Sequence, residues 1–271
     1  MKTHKITYQL LFSVVLLSIM GLAACSEVSV PVTEAPAVPA ETTETITDIE
    51  VPEAVAAPQT DLTIVDEEGN TSIDTVALET VVSSMVVGDL TEVEAEGLIF
   101  RREEEKLARD VYLTLYDQWD IPIFQNIARS EQTHTDAIKN LLDTYGLVDP
   151  MVNDKIGVFI NPDLQALYDQ LVAQGSQSLS EALKVGVAIE EIDILDLEKY
   201  IAQTDHADIQ LVYENLLKGS RNHLRAFVTT LQRQTEATYQ PQYLSQDVYD
   251  AIVGSAIERG GNRNGNGNGV K

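Results

Sequence analysis

The feature that most constrains this chain is a pair of ionisable side chains on the apolar face of one predicted helix. Glu131 and His134 are three residues apart, so they share a helical face with Ile127 and Ile138. Burying a carboxylate or an imidazole costs free energy unless the group is paired or bound to a metal ion. An inward Glu-x-x-His sequence is also one part of the ligand set with which a four-helix bundle holds two metal ions. The rest of the chain must therefore supply partners for these groups or further ligands.

Apolar residues at helical spacing predict four long helices in the second part of the chain. Thr91 and Glu94 have the spacing of a capping box, which indicates where the first helix begins. The predicted long helices cover about residues 91–119, 124–145, 178–204 and 207–234. Residues 147–177 form a long crossover between helices two and three, with a short helix at about 163–174, and a short C-terminal helix is predicted at 245–257. The sequence thus predicts an all-α four-helix bundle.

Each long helix places an ionisable residue in line with its apolar residues. Helix one offers Glu104, helix two Glu131 and His134, helix three Glu190, and helix four His223. This is the ligand order of ferritin-like carboxylate bundles. Carboxylates can bridge two cations and offset their charge, and imidazole completes the ligand shell of iron, manganese or zinc. We therefore predict that these five side chains meet at a metal site in the bundle interior.

Other ionisable residues of the helical region are predicted to have structural roles rather than to bind metal. The charged run 101–106 is predicted to be mostly exposed to solvent, with Glu104 as the exception that faces inward. His206 lies at the junction of helices three and four, where an exposed or helix-capping role is expected.

The formal net charge of -25 is concentrated before the helices. Between Ser26 and Glu96 the chain has 17 Asp and Glu residues and no Lys or Arg, together with a high density of proline. Such a segment is typical of an extended, mostly disordered spacer, so residues 26–89 are interpreted as a tether and residues 90–258 as the folded domain. The lack of a basic surface argues against nucleic-acid binding. The Gly- and Asn-rich residues 259–271 are interpreted as a disordered tail.

The first 25 residues have the pattern of an export signal, with a positive start, an apolar run and small residues before Cys25. The sequence Leu22-Ala-Ala-Cys25 resembles the lipobox of bacterial lipoproteins. That resemblance implies lipidation of Cys25, a membrane anchor, and an extracytoplasmic location on the cell surface or the periplasmic face. The alternative is an uncleaved membrane anchor in which the cysteine is incidental.

Three stretches within the predicted helices resemble the DUF2202 family. They are residues 102–112 (REEEKLARDVY), 188–197 (AIEEIDILDL) and 219–227 (GSRNHLRAF). The resemblance covers roughly residues 90–255 and implies a ferritin-like fold with a long crossover between helices two and three. It implies little about a reaction, because the family is named for lacking one.

One position departs from the wider ferritin-like pattern. Helix four is expected to carry Glu-x-x-His, but Ser220 stands three residues before His223. Asp193, one turn after Glu190, could supply the missing carboxylate and allow two ions to bind. The other interpretations are a site for one metal ion and a site for none.

The sequence leaves three functions open. The first is an oxidase or peroxidase with two iron or manganese ions, and the second is a module that sequesters metal without turnover. The third is a metal-free helical scaffold in which Glu131 pairs with His134 or His223. Homo-oligomerisation is allowed by the sequence but not specified by it.

Overall fold

The computed structural model describes residues 60–66, 70–85 and 87–259. The predicted signal peptide with Cys25, the tether up to residue 59 and the tail from residue 260 lie outside these residues. In the described ranges, no helix combines the length and the apolar character needed to cross a membrane.

Two short strands and seven helices follow one another along the described part of the chain. They are β1 (Thr63–Val65), β2 (Thr71–Ile73), α1 (Thr75–Val82), α2 (Glu92–Trp119), α3 (Pro122–Thr144), α4 (Pro162–Gly175), α5 (Leu179–Ile201), α6 (Ala207–Thr235) and α7 (Gln246–Gly254). The prediction of an all-α bundle is confirmed. Each predicted helix is present, and its ends lie within three residues of the predicted ones.

Local sequence signals explain where the long helices begin and end. The hydroxyl of Thr91 accepts a hydrogen bond from the Glu94 backbone, and the Glu94 carboxylate accepts one from the Thr91 backbone N–H at 2.9 Å, so the predicted capping box is present. Helix α2 ends at Asp120, which has a left-handed φ of 51°. Pro122 then opens α3, where its missing N–H costs nothing. This short connection makes α2 and α3 antiparallel neighbours.

The four long helices enclose one apolar core. Helix α2 packs against α3 and α5 against α6, while contacts between α3 and α6 and between α2 and α5 close the bundle. Leu98, Leu141 and Phe227 are fully buried there. Gly186 is needed at the α5–α6 contact, because a Cβ atom at this position would lie 2.6 Å from the Phe227 ring.

The strands form an antiparallel hairpin that packs on the bundle. Thr63 is paired with Ile73 and Val65 with Thr71, and β2 lies against both α3 and α6. Helix α1 follows and packs against α3. Residues 63–82, which the sequence predicts to be part of the tether, contain these two strands and α1. The folded part therefore begins near Leu62, which is 2% exposed, rather than near residue 90.

The charged run 101–106 is buried, so the prediction of a mostly exposed surface was wrong. All six residues are at most 5% exposed. Arg102, Glu103 and Lys106 bond to the crossover, which covers a face of α2 that a bare four-helix bundle would leave in water. Arg101 instead forms ion pairs with Glu104 and Glu105 on α2 and with Asp193 on α5. Burial of these charges is tolerated because each of them has charged or polar partners.

Hydrogen bonds from α2 hold the crossover in place. The carboxylate of Glu103 accepts bonds from the backbone N–H groups of Ile160 at 2.6 Å and Asn161 at 3.0 Å. The ammonium group of Lys106 is ion-paired with Asp110 and donates to the carbonyl of Lys155 at 2.9 Å. These contacts fix a connection that would otherwise be a long exposed loop.

Candidate metal centre

Five buried side chains from all four long helices converge in the bundle interior. They form two groups that share Glu131, and in each group the potential ligand atoms lie within 4.8 Å of one another. One group is Glu105, Glu131 and His134, and the other is Glu131, Glu190 and His223. All five residues are 0% exposed. We call these five residues the central cluster.

The two carboxylate oxygens of Glu131 point to different histidines. Its Oε2 lies 2.8 Å from Nδ1 of His134, and its Oε1 lies 2.8 Å from Nδ1 of His223. On the outer sides, Glu105 Oε2 is 3.4 Å from His134 Nδ1 and Glu190 Oε2 is 3.7 Å from His223 Nδ1. Glu131 is therefore placed as a bridge between two similar sets of ligand atoms.

These short distances do not correspond to aligned hydrogen bonds. Among the described residues, Glu105 Oε2, both oxygens of Glu131, Glu190 Oε2 and the Nδ1 atoms of both histidines are buried without a hydrogen-bond partner. Buried polar atoms in native proteins are nearly always satisfied, so a concentration of exceptions in one place requires an explanation. Potential ligand atoms that gather within 4.8 Å of one another without aligned hydrogen bonds fit the ligand shell of a metal ion.

The packing of the two imidazole rings depends on a glycine. The ring centroids of His134 and His223 lie 5.5 Å apart with an interplanar angle of 22°. A Cβ atom at Gly219 would lie 2.7 Å from the Cε1 atom of His134. Only glycine at this position of α6 leaves room for the His134 ring.

The structure places Glu105, not Glu104, in the central cluster, so the predicted phase of α2 was off by one residue. Glu104 is ion-paired with Arg101 and belongs to neither ligand group. The inward line of α2 contains Leu98, Glu105 and Tyr112, which are seven residues apart and fully buried. The spacing of Leu98 and Tyr112 around Glu105 is the sequence signal that could have identified it.

Asp193 faces a buried guanidinium group rather than the ligand atoms. Its Oδ1 lies 3.3 Å from Nη1 of Arg101, and it belongs to neither ligand group. Arg101 is also ion-paired with Glu105, whose other oxygen faces His134. Sequence reasoning missed Arg101, which connects the predicted carboxylates to the centre without being a ligand.

Ser220 does not replace the missing ligand of helix four. Its hydroxyl donates to the carbonyl of Leu216 in the same helix at 3.3 Å. His206 is at the N-cap position of α6 but makes no capping bond; its Nδ1 lies 2.7 Å from Glu94, and its side chain is partly buried. Neither residue contributes to the central cluster.

Tyr112 is a further residue of the centre. Its hydroxyl donates to Oε1 of Glu190 at 2.7 Å, and its ring packs against Phe227 with centroids 5.0 Å apart. Burial, with the nearby charge of Glu190, raises the pKa of Tyr112 well above its ordinary value. The phenol therefore stays protonated and holds Glu190 in a fixed orientation.

The pKa values of the metal-free cluster are set by burial and by the charges of neighbouring groups. Burial alone would lower the pKa of both histidines, but the neighbouring carboxylates raise the pKa of His134 to about 10 and that of His223 to about 9. For Glu131, burial is outweighed by the two imidazolium rings, which hold its pKa below the ordinary value. Burial raises the pKa of Glu190 to about 7. Protons on the imidazoles thus compensate Glu131 when no cation does.

Residues 94–256, more than half of the chain, match the sequence model of a family described as "Uncharacterized protein domain (DUF2202)". The uncharacterized protein MJ0754 of Methanocaldococcus jannaschii is 57% identical over 182 residues, which cover 67% of this chain and 98% of that protein. The crystal structure of hypothetical protein MJ0754 from Methanococcus jannaschii aligns with a TM-score of 0.63 and 56% identity, over 65% of this chain and 99% of that one. By the extent of these matches, the chain belongs to the DUF2202 family.

Proposed function

We propose that the central cluster binds two divalent first-row metal ions, iron or manganese, and that the protein carries out oxidase or peroxidase chemistry with them. The observation that carries the proposal is the set of unsatisfied buried ligand atoms arranged on both sides of Glu131. Imidazole and carboxylate ligands together suit iron and manganese. A ferritin-like bundle with a single carboxylate bridge is the arrangement that this proposal implies.

Charge supports two ions rather than one. Five buried carboxylates lie in or next to the central cluster together with the buried guanidinium of Arg101, which leaves four negative charges when all five are ionised. Two divalent cations supply the four compensating charges without any protonated carboxylate or imidazole. The groups counted are Glu104, Glu105, Glu131, Glu190, Asp193 and Arg101. Asp193 thus contributes charge, even though it is not placed as a ligand.

Redox chemistry is favoured over simple sequestration by the phenol in contact with a ligand. A pair of such ions, held by the central cluster, would supply one-electron chemistry toward dioxygen or peroxide. Tyr112 orients Glu190, and the apolar residues around it exclude water from the centre. The phenol at this position is suited to keep a proton at its hydroxyl oxygen and to donate it in a hydrogen bond to Glu190.

A metal-free scaffold is the second candidate. It is favoured by the 2.8 Å approach of both imidazoles to Glu131, because two protonated rings can compensate the buried carboxylate. In this alternative the cluster stabilises the bundle, and the domain serves in protein interactions.

The test is metal analysis of the purified chain after loading with Mn²⁺ or Fe²⁺ and removal of excess ion. We expect about two ions per chain, and fewer than half an ion in the double variant His134→Gln, His223→Gln. The matched control His206→Gln changes a histidine outside the cluster and should retain both ions. Equal loading of the double variant, or no ion in the unchanged chain, would contradict the proposal. Ions bound without any turnover of peroxide or dioxygen would indicate sequestration.

We further propose that the protein is a lipoprotein that works outside the cytoplasmic membrane. Support comes from the sequence alone, in the lipobox-like residues before Cys25 and the acidic spacer that follows. Membrane fractionation of the variant Cys25→Ser tests the proposal. Loss of lipidation should release the chain from the membrane or leave its signal uncut. Unchanged processing and attachment would identify a different anchor.

A further inference from the structure

Strand β2 lies directly over the helices that carry the two histidines. Thr71 is completely buried, and its carbonyl oxygen lies 3.1 Å from Nε2 of His223. The amide of Asn222 donates to the Thr71 hydroxyl at 2.8 Å. The hairpin therefore reaches the side of the His223 ring that faces away from Glu131.

The two nitrogens of His223 have different environments. Its Nδ1 faces Glu131 and Glu190, whereas its Nε2 faces the backbone of Thr71. A neutral imidazole that binds metal through Nδ1 carries its proton on Nε2, which must then donate to an acceptor. The Thr71 carbonyl is placed to accept this bond, and the Thr71 N–H, 3.3 Å away, cannot donate to a nitrogen that already carries a proton. Metal-binding histidines in proteins are typically oriented by such a bond.

We infer that the β1–β2 hairpin is a positioning element of the metal centre, in which the carbonyl of Thr71 fixes the tautomer and the ring orientation of His223. This inference rests on the metal centre proposed above. The hairpin lies before residues 94–256, so it is outside the segment that matches the family. The family segment thus supplies the ligands, and the preceding segment holds one of them in its metal-binding form.

The Nε2 atoms of the two histidines differ in their hydrogen bonding. Within the described residues, Nε2 of His134 has no hydrogen-bond partner, while Nε2 of His223 has the Thr71 carbonyl. Loosening the hairpin should therefore weaken the ion bound by His223 and Glu190 more than the ion bound by His134 and Glu105.

Two side chains that do not belong to the central cluster anchor the hairpin. The N–H of Ile73 donates to the hydroxyl of Thr133 on α3 at 2.8 Å. The N–H of Leu62 donates to the side-chain oxygen of Asn215 on α6 at 2.8 Å. The double variant Thr133→Val, Asn215→Leu removes both acceptors with side chains of similar size. Thr144→Val is the matched control, because its hydroxyl bonds only within α3 at an exposed position.

The first experiment measures ¹⁵N shifts of the histidine rings in the full chain loaded with Zn²⁺, a diamagnetic probe. We expect His223 to bind through Nδ1 and to carry a slowly exchanging proton on Nε2. Coordination through Nε2, or an Nε2 proton in fast exchange with water, would overturn the inference. This measurement needs no variant, so it holds even if the double variant is unstable.

The second experiment titrates Mn²⁺ into the unchanged chain, the double variant and the control. Binding of one of the two ions should weaken by about tenfold or more in the double variant and remain unchanged in Thr144→Val. Suppose the hairpin amides of the double variant exchange faster, but the variant binds both ions as tightly as the unchanged chain does. This result would overturn the positioning role of the hairpin and leave the proposed metal centre intact. No binding by the unchanged chain would instead remove the metal centre, and this inference with it.

Discussion

At the residue scale, two ion pairs with the same sequence spacing differ in their exposure to solvent. Lys106 and Lys139 each form an ion pair with an aspartate four residues later, Asp110 and Asp143. The first pair is completely buried beneath the crossover, whereas the side chains of the second are about half exposed. A buried charge that loses its partner keeps its desolvation cost, while an exposed one is solvated by water.

The substitution Lys106→Met should therefore destabilise the protein strongly. Asp110 would keep its bond with Arg109 but lose the ammonium group, and the crossover would lose the bond to the Lys155 carbonyl. We expect a loss of about 3 kcal/mol in the free energy of unfolding. Lys139→Met is the matched control and should change it by less than about 1 kcal/mol. Denaturant unfolding measures both, and equal effects would mean that burial does not govern the first pair.

At the scale of the elements, the sequence predicted the helices better than the faces they present. The apolar spacing of α3, α5 and α6 identified Glu131, His134, Glu190 and His223, which the structure brings together. On α2 the same reasoning selected Glu104 instead of Glu105, because 28 residues of helix with a low contrast between polar and apolar positions do not define one face. Its second face is covered by the crossover, and that contact depends on residues far away in the sequence.

The β1–β2 hairpin could not be predicted from local sequence either. Its strands have three residues each, too few to show an alternating pattern, and they lie in an acidic segment that resembles a tether. Their order comes from contacts with α3 and α6 rather than from local preference. Thr71 has no sequence feature that points to His223, because a backbone carbonyl is present at every residue.

At the scale of the whole molecule, the charges of the central cluster and of its neighbours Glu104, Asp193 and Arg101 can be balanced in two ways. With two divalent ions, the five carboxylates and Arg101 are balanced while both imidazoles are neutral. Without metal, the imidazoles are protonated and the pKa values of Glu104 and Asp193 are raised, chiefly by burial, so protons provide the balance. Since the proposed ligands come from all four long helices, we expect the choice between protons and metal to affect the stability of the entire bundle.

The metal-free protein should therefore lose stability as the pH rises. A group whose pKa is higher in the folded than in the unfolded chain stabilises the fold below its unfolded pKa, and this stabilisation is lost as the pH rises through the folded pKa. For the histidines the window extends from 6.5 to about 9 for His223 and about 10 for His134. Glu190 changes mainly below this window, between 4.5 and about 7. Glu131, with its lowered pKa, stabilises the fold throughout the window.

Thermal unfolding in the presence of a chelator should show a midpoint about 5 °C lower at pH 9.5 than at pH 6.5. Bound metal should remove this decrease, because the neutral imidazoles that a high pH produces are the form that binds the ions. The variant His134→Gln, His223→Gln has no ring proton to lose, so its midpoint should change much less over the same interval. A metal-free midpoint that rises with pH, or an equal decrease in the double variant, would show that the buried histidines do not carry the compensating protons. The same comparison with metal present separates proton release from general alkaline unfolding, since only the former is suppressed by the ions.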